Sequence, residues 1–260
     1  MSRGNLCYWR NAATLIIAGK TKGGTSSSTD YKVLMLERSK SSKFFPGAYV
    51  YPGGEISEAD HSQDWADIFS SVSSVTTDNI VKDLQVRGPR PPLMVNEDVQ
   101  DNPGSVRLDP CLAYRICAIR ETFEESGLLI ATKRPSDRNN LSVSGSLLAD
   151  NKDLGIWRER VHKDPYNFLA MCREMNVVPD VWALREWGNW LTPVMKQVQG
   201  PSPRPHRFDT FFYLCCLEYL PVATQDSLEI TSTRVSQCSI FYKKGLCFYV
   251  NSPQFYRKWG

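Results

Sequence analysis

The nonapeptide RETFEESGL, residues 120–128, decides the fold class predicted for this chain. It places Glu124 and Glu125 three and four residues after Glu121, so the three carboxylates share one face of a helix. Like charges at that spacing repel by roughly 0.2–0.5 kcal/mol per pair. A divalent cation such as Mg²⁺ binds carboxylate and phosphate oxygens and would remove this repulsion. The cluster therefore predicts a metal site for phosphate or diphosphate chemistry.

The same segment has the pattern of a helix packed on a core. Asp109 and Pro110 are typical N-cap and first-turn residues, and Gly127 is typical of a helix end. Apolar residues recur at helical spacing on the face opposite the carboxylates, namely Leu112, Ile116, Ile119 and Phe123. The alternative is a solvated acidic face on a surface helix. A helix fixed on a core favours the metal site, because it holds the carboxylates in place.

RETFEESGL resembles the second half of the Nudix box, and PGGE, residues 52–55, resembles the glycine loop that precedes it. The usual box has a Glu six residues after the second glycine and the Arg eight residues later. Here Asp60 stands at the first place, and Arg120 comes about 52 residues later than that spacing requires. An insertion splits the box, which is characteristic of the coenzyme A diphosphatase branch of the Nudix family.

Four further segments carry the same resemblance: WRNAATLIIAG at 9–19, LMLERSKSSKFFPGAYVYPGGE at 34–55, PDVWALREWGNWLTP at 179–193 and RFDTFFYLCCL at 207–217. The resemblance runs from residue 9 to about 220 and weakens beyond. It implies one Nudix hydrolase domain over 1–260, an α/β/α sandwich with a mixed curved sheet. We expect a loop-rich insertion at 61–108, a helical insertion at 150–187 and an atypical C-terminal segment at 221–260.

The pattern along the chain predicts the elements around the box. Strands are predicted at 12–18, 32–37, 128–131 and 207–217, with a Gly/Ser/Thr-rich turn at 23–29. Residues 70–107 are rich in Ser, Asp, Asn and Pro, which favours a loop, either an inert excursion or a lid. Residues 153–185 have helical periodicity, with a helix start at Asp164. Trp157, Trp182, Trp187 and Trp190 are expected to pack this helical part on the core.

The resemblance also implies an active site. The carbonyl of Gly53 and the side chains of Glu121, Glu124 and Glu125 would hold Mg²⁺ or Mn²⁺. Glu121 would be either the general base or a further ligand, and the sequence leaves both open. Arg120 is the second predicted catalytic residue, because its planar guanidinium can fix the rotamer of a box carboxylate.

Two further acidic residues stand at places of interest. Asp60 replaces the usual Glu, and its shorter side chain favours a structural or outer role over direct metal binding. Glu229 follows the strand predicted at 207–217, where many Nudix proteins bring a further carboxylate, although a surface position is an equal alternative.

Substrate choice is predicted from LERSKSSKFFPGAYVYPGG, residues 36–54, which resembles the extension before the box in coenzyme A-type Nudix proteins. Arg38, Lys43 and Arg207 are candidates for binding the ribose 3′-phosphate. Gly54 of the glycine loop is a further predicted substrate-binding residue. For Arg38 and Lys43 the equal alternative is a solvated cation at a strand end. The resemblance implies a Nudix diphosphatase that cleaves coenzyme A or acyl-coenzyme A. The alternatives are a Nudix hydrolase for ADP-ribose, dinucleotides or capped RNA, and a catalytically silent binding module.

Composition adds limits on partners and compartment. A net charge of +3 gives no argument for nucleic acid, and no apolar run approaches the roughly 18 residues of a membrane helix. The eight cysteines form no CxxC pair, which favours a reducing, intracellular compartment over disulfides or zinc. The resemblance implies a peroxisome or mitochondrion, although Lys258-Trp259-Gly260 is no targeting tripeptide. The oligomeric state is left open.

Overall fold

The computed structural model describes residues 9–20, 32–41, 46–84, 91, 107–132, 152–192, 207–220 and 230–237. The strands are β1 (Arg10–Lys20), β2 (Lys32–Arg38), β3 (Tyr49–Val50), β4 (Gly53–Glu55), β5 (Ala131–Thr132), β6 (Val178–Pro179), β7 (Leu184–Leu191), β8 (Phe208–Tyr219) and β9 (Ile230–Gln237). The α-helices are α1 (Asp64–Ser73), α2 (Thr77–Asp83), α3 (Pro110–Ser126), α4 (Lys152–Lys163) and α5 (Tyr166–Glu174). Short 3₁₀ helices span Glu58–His61 and Val181–Ala183.

Seven of the described strands form one mixed sheet. β1 and β8 run parallel over their length, from Arg10 opposite Phe208 to Lys20 opposite Tyr219. The other pairings in the sheet are antiparallel, with β7 on the far side of β8 and β9 on the edge of β2. The predicted α/β class and mixed sheet are therefore confirmed. The strand predicted at 207–217 is β8, which lies between β1 and β7.

The sheet splits between β1 and β2, and the split receives the glycine turn. The two strands pair at Ala18 and Gly19 of β1 and then separate. Residues 49–55 occupy the gap, with β3 antiparallel to β2 and β4 antiparallel to β1. The carbonyl of Pro52 accepts a hydrogen bond from Leu15 N at 2.9 Å, which ties the turn to the middle of β1. Gly53 and Gly54 therefore lie inside the sheet and not on a peripheral loop.

Helix α3 packs its apolar face on the sheet, as its sequence predicts. The main core joins residues from one face of β1 and β8 to those of α3: Ala13, Leu15, Ile17, Phe211, Tyr213, Cys215, Leu112, Ile116, Ile119 and Phe123. The carboxylate of Asp109 accepts from Cys111 N at 2.7 Å, and Gly127 ends the helix with a positive φ of 73°. The predicted bounds of this helix are confirmed, because capping chemistry and apolar spacing agree.

The prediction of a loop-rich segment at 61–108 is wrong for its described first part, since α1 and α2 lie there. Trp65, Phe69 and Ile80 are buried in the main core. Trp65 Nε1 donates to the carbonyl of Ala59 at 2.9 Å, and its ring centroid lies 5.8 Å from that of Phe168 in α5. The abundant Ser and Asp concealed a helical spacing of a few large apolar residues, whose burial decides the structure.

The helical prediction for 150–187 is correct for α4 and α5 and wrong at its end. The helical part ends at Glu174, and residues 184–191 form β7, which pairs with β8. Trp157 on α4 is buried as expected, whereas Trp187 lies half exposed on β7. In place of the strand predicted at 128–131, the structure has the two-residue strand β5, which pairs with β6. The turn at 23–29 and Glu229 lie outside the described residues.

The described cysteines are free thiols: Cys111, Cys117, Cys172, Cys215 and Cys216. Among the helices that the structure describes, none combines the length and apolar character needed to cross a membrane.

Replacement of Trp65 tests whether the first part of the insertion, residues 61–84, belongs to the core. Trp65→Ala should lower the free energy of unfolding by about 3–5 kcal/mol, because it leaves a large cavity between α1 and α5. Ser70→Ala, at an exposed position of the same helix, should change it by less than about 0.5 kcal/mol. Urea unfolding measures both variants. Equal small effects would show that α1 is dispensable to the core.

Candidate active site

The residues predicted for the site meet where the glycine turn packs against α3. Gly53 N donates a hydrogen bond to Glu125 Oε2 at 2.9 Å. Gly54 lies so close to the carboxylate of Glu121 that a Cβ at position 54 would clash with it. Residues about 70 positions apart in the sequence are thus brought into direct contact, as the split box requires. Glycine at 54 lets the backbone of β4 approach the Glu121 carboxylate, and glycine at 53 lets it approach β1.

A buried guanidinium, that of Arg120, holds the acidic side chains together. The Arg120 side chain is 2% exposed. Its Nε and Nη2 bind the two oxygens of Asp60 at 2.9 and 2.8 Å. Its Nη1 donates to Glu121 Oε1 and to Glu124 Oε1, each at 2.7 Å. Nη2 also donates to the carbonyl of Glu55 at 3.2 Å. The Arg120 side chain therefore links β4, the 3₁₀ helix Glu58–His61 and α3.

Two contacts of Asp60 explain why an aspartate suits this position. It is 1% exposed, and its Oδ2 accepts from Ser57 N at 2.8 Å, which completes a capping box on the 3₁₀ helix Glu58–His61. The same carboxylate forms the forked pair with Arg120. These contacts fit the structural or outer role predicted for Asp60, because both of its oxygens are already bonded within the protein.

The charges of the site do not balance. Arg120 supplies one positive charge to three carboxylates, those of Asp60, Glu121 and Glu124. Burial raises the pKa of Glu121 to about 7, against the opposing effect of Arg120. Burial alone would lower the pKa of Arg120, but Asp60 and Glu121 hold it well above its ordinary value. The site is therefore an anionic cluster that a further positive charge would stabilise.

The donor types suit a divalent cation of the Mg²⁺ class. Carboxylate oxygens of Glu121, Glu124 and Glu125 and the carbonyl of Gly53 are the hard oxygen ligands that such ions prefer. Within the described ranges, no three His, Cys, Asp or Glu side chains are grouped closely enough to form a ready metal cage. Glu121 and Glu124 are instead directed to Arg120. The excess negative charge beside the glycine turn is the observation that fits a cation.

Helix α4 contributes two contacts that the sequence motifs did not predict. Arg158 Nε donates to the backbone carbonyl of Glu124 at 2.7 Å. His162 Nδ1 lies 3.5 Å from Glu124 Oε2. The four-residue spacing of Arg158 and His162 places them on one helical face, but the spacing alone does not identify their partner. Only the packing of α4 on α3 brings them to the predicted metal ligand.

Two of the cationic substrate candidates, Arg38 and Arg207, lie at or beside strand ends. Arg207 is buried at the start of β8, with its guanidinium 5.9 Å from the Trp9 ring, and its carbonyl accepts from Arg10 N at 2.8 Å. Arg10 forms an ion pair at 2.8 Å with Glu55, the residue after Gly54. Arg38 ends β2, and its backbone N–H donates to the carbonyl of Ala48 at 2.9 Å. Lys43 lies outside the described residues.

A glycine turn inserted into a split mixed sheet, facing a helix with three glutamates, defines the Nudix class. The comparisons agree: the chain belongs to the family described as the NUDT19 Nudix domain, whose model matches residues 9–258. This match includes residues 221–258, where the resemblance in the sequence was expected to weaken. The predicted Nudix family is confirmed, and within it the match is to the NUDT19 branch.

Three relatives share the name acyl-coenzyme A diphosphatase NUDT19. The chain is 39% identical to the Xenopus laevis protein, covering 87% of this chain and 62% of the relative. It is 40% identical to the Gallus gallus protein, covering 87% and 60%. It is 34% identical to the Homo sapiens protein, covering 95% and 67%. The chain thus spans about three fifths of the length of the first two relatives.

A solved structure supports the fold independently. The crystal structure of a NUDIX hydrolase from Alicyclobacillus acidocaldarius aligns with a TM-score of 0.58 at 22% identity. The alignment covers 91% of this chain and 82% of the other. At this identity the likeness shows the shared fold alone.

The two glycines of the turn should respond differently to alanine. Gly53→Ala should destabilise the fold by at least about 2 kcal/mol, because a Cβ would meet the backbone of β1 at the carbonyl of Ala13. Gly54→Ala should cost less, because the clashing atoms belong to the flexible side chain of Glu121. Denaturant unfolding measures the difference. A larger loss of stability in Gly54→Ala than in Gly53→Ala would contradict the close approach of Gly53 to β1.

Removal of the central guanidinium should be costly. Arg120→Met leaves buried Asp60 and its neighbours without a cation, which we expect to lower the free energy of unfolding by about 3–5 kcal/mol. The control is Arg10→Met, which breaks the half-exposed pair with Glu55 and should cost about 1 kcal/mol or less. Both variants are measured in metal-free buffer by urea unfolding. Similar losses in the two would show that Arg120 does not organise the site.

Proposed function

We propose that the chain is a Nudix diphosphatase that hydrolyses coenzyme A and acyl-coenzyme A to 3′,5′-ADP and (acyl-)4′-phosphopantetheine, with Mg²⁺ or Mn²⁺ as cofactor. The relatives named acyl-coenzyme A diphosphatase, at 34–40% identity, support the substrate class. The structural observation that carries the proposal is the approach of Glu121 and Glu125 to the glycine turn. A peroxisomal or mitochondrial location belongs to the same proposal and rests on the resemblance alone.

In this proposal Glu124, Glu125 and the carbonyl of Gly53 hold the cation. The bound cation would neutralise the diphosphate oxygens and acidify an attacking water. Glu125 accepts a hydrogen bond from Gly53 N, so the carboxylate and the glycine turn are held at a fixed separation. Arg120 holds Glu124 through Oε1, which restricts the rotamer of a side chain with three rotatable bonds.

Glu121 is the candidate for proton transfer or for a further ligand contact. Its side chain is 16% exposed, so one edge remains open to solvent. Arg120 fixes Oε1, and Oε2 is turned to Gly54. A carboxylate held this way at the edge of the site can accept a proton from an attacking water. Gly54 supports this position because it has no side chain to displace Glu121.

The unbalanced carboxylates argue against a silent binding module. Three acidic side chains around one guanidinium are unfavourable without a further cation. A module that had lost catalysis would gain stability by replacing Glu121 or Glu124 with a neutral residue. The retained acidic cluster therefore supports metal-dependent hydrolysis, and a silent module becomes an outcome of the test below.

Metal dependence is tested with a panel of diphosphates. Turnover of coenzyme A should require Mg²⁺ or Mn²⁺, stop with EDTA and fall at least about 100-fold in Glu124→Gln and Glu125→Gln. Glutamine keeps the side-chain length and an acceptor oxygen, so the fold should persist. Glu159→Gln, at an exposed position of α4, is the matched control. Full activity in the two site variants would remove them from the metal site. No turnover of any substrate by the wild-type chain would favour a silent module.

Substrate choice is tested by the 3′-phosphate. If Arg38, Lys43 or Arg207 binds it, coenzyme A should exceed dephospho-coenzyme A in kcat/KM by about tenfold to a hundredfold, since a charge-assisted contact contributes about 1.5–3 kcal/mol. Neutralising the responsible residue with Gln should erase most of the gap and spare dephospho-coenzyme A. Equal rates on the two, or preference for ADP-ribose or a capped RNA, would reject the coenzyme A assignment.

A further inference from the structure

The insertion helix α4 is fixed against the site by its own apolar face. Leu154, Trp157 and Val161 are buried in the main core at helical spacing. Arg158 and His162 lie on the neighbouring face, four residues apart. Arg158 Nε binds the backbone carbonyl of Glu124 at 2.7 Å, which secures the helix to the last turns of α3. The backbone position of His162 is therefore set by the packing of α4.

Glu124 is approached at both of its carboxylate oxygens, from two different elements. Arg120 donates to Oε1 at 2.7 Å from within α3. His162 Nδ1 lies 3.5 Å from Oε2 and comes from α4. Neighbours at both oxygens restrict the rotation of a carboxylate more than a neighbour at one oxygen does, although the 3.5 Å contact of His162 is longer than an ordinary hydrogen bond. The side chain of Glu124 is only 10% exposed, so few other orientations are open to it.

We infer that His162 is a positioning residue that orients the carboxylate of Glu124 for a divalent cation, so that α4 forms part of the metal site. The inference rests on the proposed function in one respect, the assignment of Glu124 as a ligand. Groups that hold a ligand from outside the coordination sphere commonly change metal affinity by 10–100-fold when they are removed. The alternative is that His162, whose side chain is 37% exposed, lies near Glu124 without affecting metal binding.

The test measures Mn²⁺ binding directly on the full chain, from the electron paramagnetic resonance signal of free Mn²⁺. His162→Ala should weaken Mn²⁺ binding by about 10–100-fold. His162→Gln, which keeps a nitrogen donor, should recover most of the affinity. Lys163→Ala, at the next and exposed position of α4, should bind Mn²⁺ as the wild type does. The thermal midpoints of the metal-free variants should agree with that of the wild type, because no core contact is removed.

Turnover separates positioning from catalysis. With coenzyme A as substrate, His162→Ala should raise the Mn²⁺ concentration needed for half-maximal rate, while kcat at saturating Mn²⁺ stays close to that of the wild type. Unchanged Mn²⁺ affinity in His162→Ala would overturn the inference. So would an equal loss in the Ala and Gln variants accompanied by lower thermal midpoints, which would show that His162 only supports the packing of α4.

The outcomes also distinguish this inference from the proposed function. A wild-type chain that binds Mn²⁺ but cleaves no diphosphate would reject the proposed function, and the Mn²⁺ affinities would still decide the role of His162. A wild-type chain that binds no Mn²⁺ would overturn both.

Discussion

The forked pair between Arg120 and Asp60 is the interaction on which the rest of the site depends. It is almost completely buried, and it joins α3 to the short helix that follows the glycine turn. Because the guanidinium is planar, its remaining donors point to Glu121 and Glu124 while two bind Asp60. A lysine could not make these contacts at once. The guanidinium offsets part of the cost of burying these charges, because Asp60, Glu121 and Glu124 all contact it.

The split in the sheet supplies the second constraint. Strands β1 and β2 part after two paired residues, and the turn at Pro52 fills the gap with backbone. A peptide N–H inside a sheet needs an acceptor, and for Gly53 that acceptor is Glu125 of α3. The same bond that satisfies the backbone places a candidate ligand at the turn. Fold and site are therefore built from one set of hydrogen bonds.

The two segments that interrupt or follow the box are structural parts of the domain. Helix α1 buries Trp65 against Phe168 of α5, so the two segments contact each other as well as the core. Helix α4 reaches Glu124 through Arg158 and His162. The described residues of these two segments therefore contribute to the packing around α3, the helix that carries the acidic cluster.

The sequence alone determined α3, its caps, the glycine turn and the acidic residues, because capping, helical spacing and like-charge repulsion are local properties. Composition predicted loop structure where α1 and α2 lie, and helical periodicity predicted helix up to residue 187, where β7 has begun. The structure of these segments depends on partners distant in the chain: Trp65 packs on α5, and β7 pairs with β8. The tertiary structure decided that Asp60 meets Arg120 and that His162 meets Glu124. Neither contact could be read from the sequence, since a contact between distant side chains is set by the packing that brings their two elements together, and residue spacing carries no record of that packing.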